Sequence, residues 1–388
     1  MTQQATALNA RISAIDDPPA ARIAESSEKK PEQISDARLN ASRERVPLHL
    51  EAVSRSFAFC IARLEPELRE PIGLAYLLCR MLDTIEDSPW ESVAAQDQAY
   101  EHFLRALEDP SLEFAPGAET WPWERFREGE QALFRDFDSL RELWWVQRPQ
   151  VKAAIADCVR SMQKGMQGFR AAIEASAAPD LETVLSLGTL GDVNRYCFFV
   201  AGIVGEMLTR VFRSVQPNFS PRPEEAWRFG LFLQKVNILK DQEADEREGR
   251  RLVPSRKLVL HSALHDAEAA WLYIQSIPSS WPGYQLFCAW SYFLGLETLV
   301  RLAQQREGEA RLATSRWETL ELIAQIENEL AWPEAWRERR EVLMQRLRSA
   351  IGEFQEQAPQ AARVPWSKLA AAYQGELTAQ DLVSLASD

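Results

Sequence analysis

Glycine and proline are scarce in this chain, 16 and 21 of 388 residues, below the usual combined share of about 12%. So few chain breakers favour helices over a many-turned β fold. Basic residues are in deficit: 44 Lys and Arg face 57 Asp and Glu, a formal net charge of −13. Such a chain does not grip nucleic acid or an anionic membrane through its overall field. An anionic ligand would need a local cationic device, a metal ion or an arginine cluster. The five cysteines are odd in number and include no C-x-x-C pair. Most sit in apolar neighbourhoods, where reduced, buried thiols are expected. Long apolar runs are missing too. Ile72–Cys79 and Tyr196–Gly205 fall short of the roughly 18 residues of a spanning helix, and no secretory h-region follows the N-terminus. No glycine-rich phosphate loop is present, since Gly188 and Gly191 do not make a dinucleotide fingerprint. The expectation is a soluble, cytoplasmic monomer that binds no nucleic acid, has no transmembrane segment, and leaves peripheral contact with a membrane open.

What the chain does contain is a large apolar stock, 46% hydrophobic residues with 13 Trp, enough for a substantial core. The first aromatic is Phe57, and residues 1–45 are rich in Ala, Ser, Glu, Lys and Pro, a composition that reads as a flexible tail. From Val46 onward apolar residues recur every three or four positions, the helical period. Helix stops are expected at Pro66, Pro71, Pro149, Pro254 and Pro333, among others. With no repeat and no linker, residues 46–388 read as one all-α domain.

Two apolar helices carry polar stripes. In Pro71–Asp87, read as a helix opening on its proline, Tyr76, Arg80, Asp83 and Asp87 are spaced by four, three and four. Positions 76 and 87 differ by roughly 20° around the axis, so all four share a face, with Glu86 beside them. In Phe229–Asp245 the residues Gln234, Asn237, Asp241 and Asp245 form a second line. Acid pairs one turn apart are common on solvated helix faces. On two otherwise buried helices, however, clustered carboxylates need a cation to neutralise them. Hard oxygen donors of this kind suit Mg²⁺, which shares phosphate oxygens with its protein ligands. Facing each other, the stripes would make a metal-bridged diphosphate pocket.

These residues, with Ser54-Arg-Ser-Phe57, Arg80-Met-Leu-Asp-Thr-Ile-Glu-Asp87, Tyr196-Cys-Phe-Phe-Val-Ala-Gly-Ile-Val-Gly205, Phe232–Asp241 and Gly249-Arg250, stand in an order that resembles the squalene/phytoene synthase family. Within it the squalene synthases are most similar, over about residues 50–330. The resemblance implies an isoprenoid-synthase helical fold with a central cavity, in which two farnesyl diphosphates join head to head, giving presqualene diphosphate and, with NADPH, squalene. It implies Asp83, Glu86, Asp87, Asp241 and Asp245 as Mg²⁺ ligands. Ser54, Arg55, Ser56, Arg80 and Arg250 would meet phosphate oxygens, and Lys240 stands where the family often has Arg. Tyr76 and Tyr196 would sit by the reacting carbons, Tyr196 assisting proton removal. Phe57, Phe287 and Cys288 would line the cavity.

Departures keep alternatives open. Gln242 and Ala244 replace an aromatic and a Glu usual in the second acidic motif, with Glu243 and Glu246 off the matching positions. Around the stretch Leu312–Arg316, only Arg311 and Arg316 are at hand for the basic cluster that the resemblance links to NADPH. A coupling-only enzyme ending at presqualene diphosphate, dehydrosqualene or a phytoene-type product is one rival. A catalytically inactive member serving as a lipid- or protein-binding factor is another. His261 and His265, one turn apart, are read as a solvated helix face. The tryptophans near 121–123, 144–145, 332–336 and 366 are read as packing before any membrane-facing rim.

Overall fold

The computed structural model describes residues 34–115, 121–174, 185–247, 249–305 and 316–352. In chain order the helices are α1 (Asp36–Val53), α2 (Arg55–Ala62), α3 (Pro66–Asp87), α4 (Val93–Glu108), α5 (Glu128–Arg135), α6 (Phe137–Val146) and α7 (Pro149–Glu174). They continue as α8 (Leu190–Cys197), α9 (Ile203–Arg213), α10 (Pro223–Arg247), α11 (Arg256–Ser276), α12 (Pro282–Gln304), α13 (Arg316–Glu329) and α14 (Pro333–Ile351). The expected all-α class is what the chain adopts. The starts follow simple chemistry. Pro66, Pro282 and Pro333 occupy first-turn positions, where a missing N–H costs nothing. Ser92 and Thr189 accept from the backbone N–H of Ala95 and Asp192, each at 3.1 Å.

Two boundaries differ from the sequence reading. The first helix begins at Asp36, so residues 36–45 are helical and not part of a flexible tail; residues 1–33 lie outside the described residues. Leu39 and Val46 are buried there, Ser42 donates to Glu142 at 2.9 Å, and Arg38 pairs with the same carboxylate. The segment lacks aromatics yet is held by packing and buried polar contacts. The second difference is Pro71, which lies inside α3 rather than at its start. Pro66 opens the helix five residues earlier, and the fully buried Leu68 and Leu74 on either side hold the turn in place.

Two helices act as hubs. α3 packs against α1, α2, α4, α5, α6, α7 and α9, and α10 against α8, α9, α11 and α12. They are the two that carry the polar stripes. Between α8 and α9 the chain makes one π-helical turn, Phe198–Gly202, a device that re-aims the side chains around it. α9 and α10 cross with backbones nearly touching. A Cβ on Gly205 would sit 2.1 Å from the Ala226 carbonyl oxygen, and one on Gly230 would sit 2.1 Å from that of Ala201.

α12 is long and apolar enough to cross a membrane by length and composition, with mean hydropathy 1.3, but 67% of that stretch is buried inside the protein. It is placed as a core helix, with Trp290, Tyr292 and Phe293 fully covered. The longest uninterrupted apolar runs did not reveal it because Ser291, Glu297 and Thr298 break its composition. Trp144 and Trp336 are buried, Trp121 joins an aromatic cluster with Phe114, Phe126 and Phe134, and Trp332 is exposed. Trp366 lies outside the described residues.

Candidate active site

A polar cavity of about 410 Å³ is walled by both stripes: Arg80, Asp83, Glu86 and Asp87 from α3, and Gln234, Asn237, Lys240, Asp241 and Asp245 from α10. Tyr196 from α8, Ser54 from the turn before α2 and Arg250 from beyond α10 complete it. An adjoining cavity of about 480 Å³ shares Ser54, Asn237 and Lys240 with the first. Its remaining wall is mostly apolar, with Phe57, Cys60, Leu233, Val236, Leu294 and Leu302. Ser291 and Thr298 also face it, but their hydroxyls donate back to Phe287 and Leu294 carbonyls at 3.1 and 2.7 Å. A charged vestibule therefore adjoins a mostly apolar lobe.

Arg250 joins the stripes. Its guanidinium pairs with Asp87, reaches the Tyr196 hydroxyl at 3.1 Å and lies 3.9 Å from Asp245. Burial works against that cation, yet Tyr196, Asp87 and Glu86 outweigh it and hold its pKa above the ordinary value. Local backbone puts it there. After α10 ends, Gly249 adopts φ 78°, a left-handed turn that suits glycine. Arg250–Arg251 then pairs in parallel with Leu185–Ser186, and Leu187 N–H donates to the Arg251 carbonyl at 2.9 Å. That two-residue pairing has no sequence signal, being too short for alternation.

Arg80 donates to Glu130 at 2.5 Å. Burial opposes the Arg80 cation, but Asp83 and Glu130 more than offset it and raise its pKa. Glu130 is a residue the sequence reading missed. One of its oxygens caps α5 by accepting from Arg127 N–H at 2.9 Å, and the other steadies Arg80. The helix-start pattern Arg127–Glu130 was the sole hint, and it marks a cap rather than a site.

Asp83 is the strained member. Its Oδ1 is shut off from solvent with no hydrogen-bond partner. Burial first, then the neighbouring Asp87, pushes its pKa up to about 7. Burial also raises the Tyr196 pKa well above the usual phenol value, with Glu86 and Asp87 adding to the effect, so the hydroxyl stays protonated. A buried carboxylate oxygen aimed at nothing, among hard oxygen donors, fits a divalent cation. Among the described residues no group of three or more Asp, Glu, His or Cys could hold a metal unaided.

Other expected residues fall elsewhere. Tyr76 lines neither cavity; its ring packs tilted against Phe57, centroids 5.0 Å apart, and it hydrogen-bonds Ser54, with burial raising its pKa. Ser56 lines the apolar lobe, whereas Arg55 is exposed and lines neither. Phe287 and Cys288 are buried in the core instead of lining the lobe; Phe287 stacks on Tyr284, and Cys60 and Ser291 occupy the wall. Ser291, Leu294 and Gly295 lie one to two turns further along the same face of α12, so the lobe begins beyond Phe287 and Cys288. Gln242 donates to Glu246 at 2.9 Å and Glu243 lies 3.8 Å from Arg247. Neither Glu243 nor Glu246 lines the cavity. Arg311 lies outside the described residues, as does the side chain of Arg316.

A family model described as squalene/phytoene synthase matches residues 50–267. Among curated relatives, squalene synthase R6 of Phoma sp. is 32% identical over 209 residues, covering 53% of this chain and 46% of that protein. Squalene synthase of Bos taurus is 29% identical over 219 residues, covering 56% and 47%. The chain thus spans about half the length of the curated relatives it matches. The solved complex of TcSQS with the ligand BPH1237 superposes with TM-score 0.66 at 20% identity, over 91% of this chain and 99% of that one. The complex with E5700 gives the same TM-score, 0.66, at 21% identity and the same coverage. At such identity these two share the fold.

Proposed function

This chain belongs to the squalene/phytoene synthase family of prenyltransferases, and from that premise we propose that it condenses two farnesyl diphosphates head to head to presqualene diphosphate and, with NADPH, reduces that to squalene. The observation that carries the reading is the union of two acidic stripes and Arg250 in one vestibule adjoining a mostly apolar lobe. Asp83, Glu86, Asp87, Asp241 and Asp245 would hold Mg²⁺. Bound there, the metal supplies positive charge to the departing diphosphate.

The residues do the rest. Arg80, Arg250, Lys240 and Ser54 offer donors for phosphate oxygens as the first allylic C–O bond breaks. The Phe57 ring and the aliphatic wall face the resulting allylic cation and keep water from it. The double bond of the second chain attacks, and joining the two molecules releases one diphosphate and one proton. Tyr196, protonated and held by Arg250, would pass that proton towards the released diphosphate.

Coupling without reduction is the second reading, supported by the sparse basic residues of the Leu312–Arg316 stretch. Product analysis separates the two. Protein incubated with farnesyl diphosphate and Mg²⁺ should yield squalene only when NADPH is added. Presqualene diphosphate or a dehydrogenated C30 product in both tubes would move the enzyme to the coupling-only class. No product with farnesyl or geranylgeranyl diphosphate would sink both.

A further inference from the structure

Behind the vestibule lies a polar network that none of the steps above employs. Lys235, on α10 between Gln234 and Val236, is 1% exposed. Its ammonium pairs with Asp266 of α11, itself 4% exposed, and donates to the Ser262 hydroxyl at 2.7 Å. Ser262 in turn donates to Asn194 Oδ1 on α8 at 3.4 Å, and Asn194 is 1% exposed. Arg228 of α10 approaches Asp266 at 4.0 Å from the other side.

The network thus ties three helices at one point. Asn194 lies two residues before Tyr196, and Lys235 lies one residue after Gln234 and two before Asn237. A buried pair of this kind adds little net stability compared with apolar residues of similar volume. What such a pair can supply is register: fixed directional contacts where greasy side chains would allow sliding. α8 needs that help. It is eight residues long and runs straight into the π turn at Phe198, so its own backbone ladder gives weak control over the angle at Tyr196.

We infer that Lys235, through Ser262 and Asn194, is a positioning residue that fixes Tyr196 against the α10 stripe. This rests on the head-to-head reading for its catalytic consequence. The geometry itself does not, because Tyr196 placement can be read without turnover.

The single variant Lys235→Met strands Asp266 in the core and is a poor test. Two cleaner variants exist. Lys235→Met with Asp266→Leu removes the pair together, and Ser262→Ala cuts the relay while leaving the pair intact. Both should melt within a few degrees of the wild type. Both should keep Mg²⁺-dependent stabilisation by inorganic pyrophosphate, because α3 and the far end of α10 are untouched. Turnover of farnesyl diphosphate should fall about tenfold in the double variant and about threefold in Ser262→Ala, with KM unchanged. Ser262→Thr, which keeps the hydroxyl, should recover most of the rate.

The second readout is fluorine NMR of protein labelled with 3-fluorotyrosine, with the Tyr196 resonance assigned from Tyr196→Phe. That resonance should shift or broaden in both variants and return in Ser262→Thr. An unmoved resonance, or wild-type kcat in the double variant, would overturn the inference. A wild type that shows no turnover while the resonance moves as described would leave the positioning role standing and remove the proposed reaction.

Discussion

Asp83 carries the sharpest conflict between stability and use. Its carboxyl titrates near 7 rather than at the ordinary 3.8, because burial and Asp87 both oppose its charge. Between those two values the native state holds a proton that the unfolded chain has released. Stability of the metal-free protein therefore falls as pH rises through that window, and the penalty is fully present above about 7. Asp83→Asn removes the charge and with it the slope. The expected result at pH 8 without Mg²⁺ is a melting temperature higher by about 1–3 °C, with prenyl-transfer activity reduced about 100-fold or more. At pH 4 the two proteins should melt alike. A variant less stable than the wild type at pH 8 would show that Asp83 contributes through hydrogen bonding rather than through stored charge. The spacing of Arg80, Asp83 and Asp87 made this cluster legible in the sequence, since helical period alone fixes a shared face. Glu130 was not legible, because its partner Arg80 lies fifty positions away and only packing of α5 on α3 brings them together.

Helices were legible from periodicity and proline placement, but how they cross was not. The motif glycine Gly205 shows why. In the sequence it is one more small residue in an apolar run; in the fold it is where α9 meets α10. A methyl group there would stand 2.1 Å from the Ala226 carbonyl oxygen, an atom that cannot rotate away. Gly205→Ala should separate the two helices and lower stability by about 3 kcal/mol or more, a fall in melting temperature of about 6 °C or more. Gly73 on α3 provides the control. Its Cβ would meet side-chain tips, Val46 Cγ1 at 3.1 Å and Leu50 Cδ1 at 3.4 Å, which can yield. Gly73→Ala should stay within about 1 kcal/mol of the wild type, the crowding offset by better helix propensity. Thermal melts of the two variants decide it. Equal losses would mean that the α9–α10 crossing adjusts as freely as a side chain. The same limit explains Phe287 and Cys288. They share a face of α12 with Ser291, Leu294 and Gly295, and which turn of that face meets the lobe and which the core is set by Tyr284, Phe212 and Trp290, contacts that no local pattern encodes.

At the scale of the whole molecule, a chain of net charge −13 must gather positive charge wherever it binds an anion. The vestibule's own cations are committed in the ligand-free state: Arg250 to Asp87 and Tyr196, Arg80 to Glu130, and Lys240 to Asp241 at 3.2 Å. A diphosphate arriving alone meets these pairs and three further carboxylates, Asp83, Glu86 and Asp245, so its net attraction is small. Mg²⁺ bound there would give the carboxylates a partner of their own and would free the paired arginines for phosphate oxygens. Inorganic pyrophosphate and Mg²⁺ should accordingly stabilise the protein together far more than the sum of either alone. At concentrations about 100-fold above the joint dissociation constant the gain is about 2.7 kcal/mol, or roughly 5 °C in melting temperature. EDTA should return the melt to its starting point. Asp87→Asn with Asp245→Asn, which removes one carboxylate from each stripe, should abolish the synergy; it also takes both paired carboxylates from the buried Arg250, so the ligand-free melt should fall. Strictly additive shifts in the wild type would mean that the two stripes do not act on one anion. The facing acidic walls would then be two separate surfaces that share a cavity, and the case for a metal-bridged diphosphate would be lost with them.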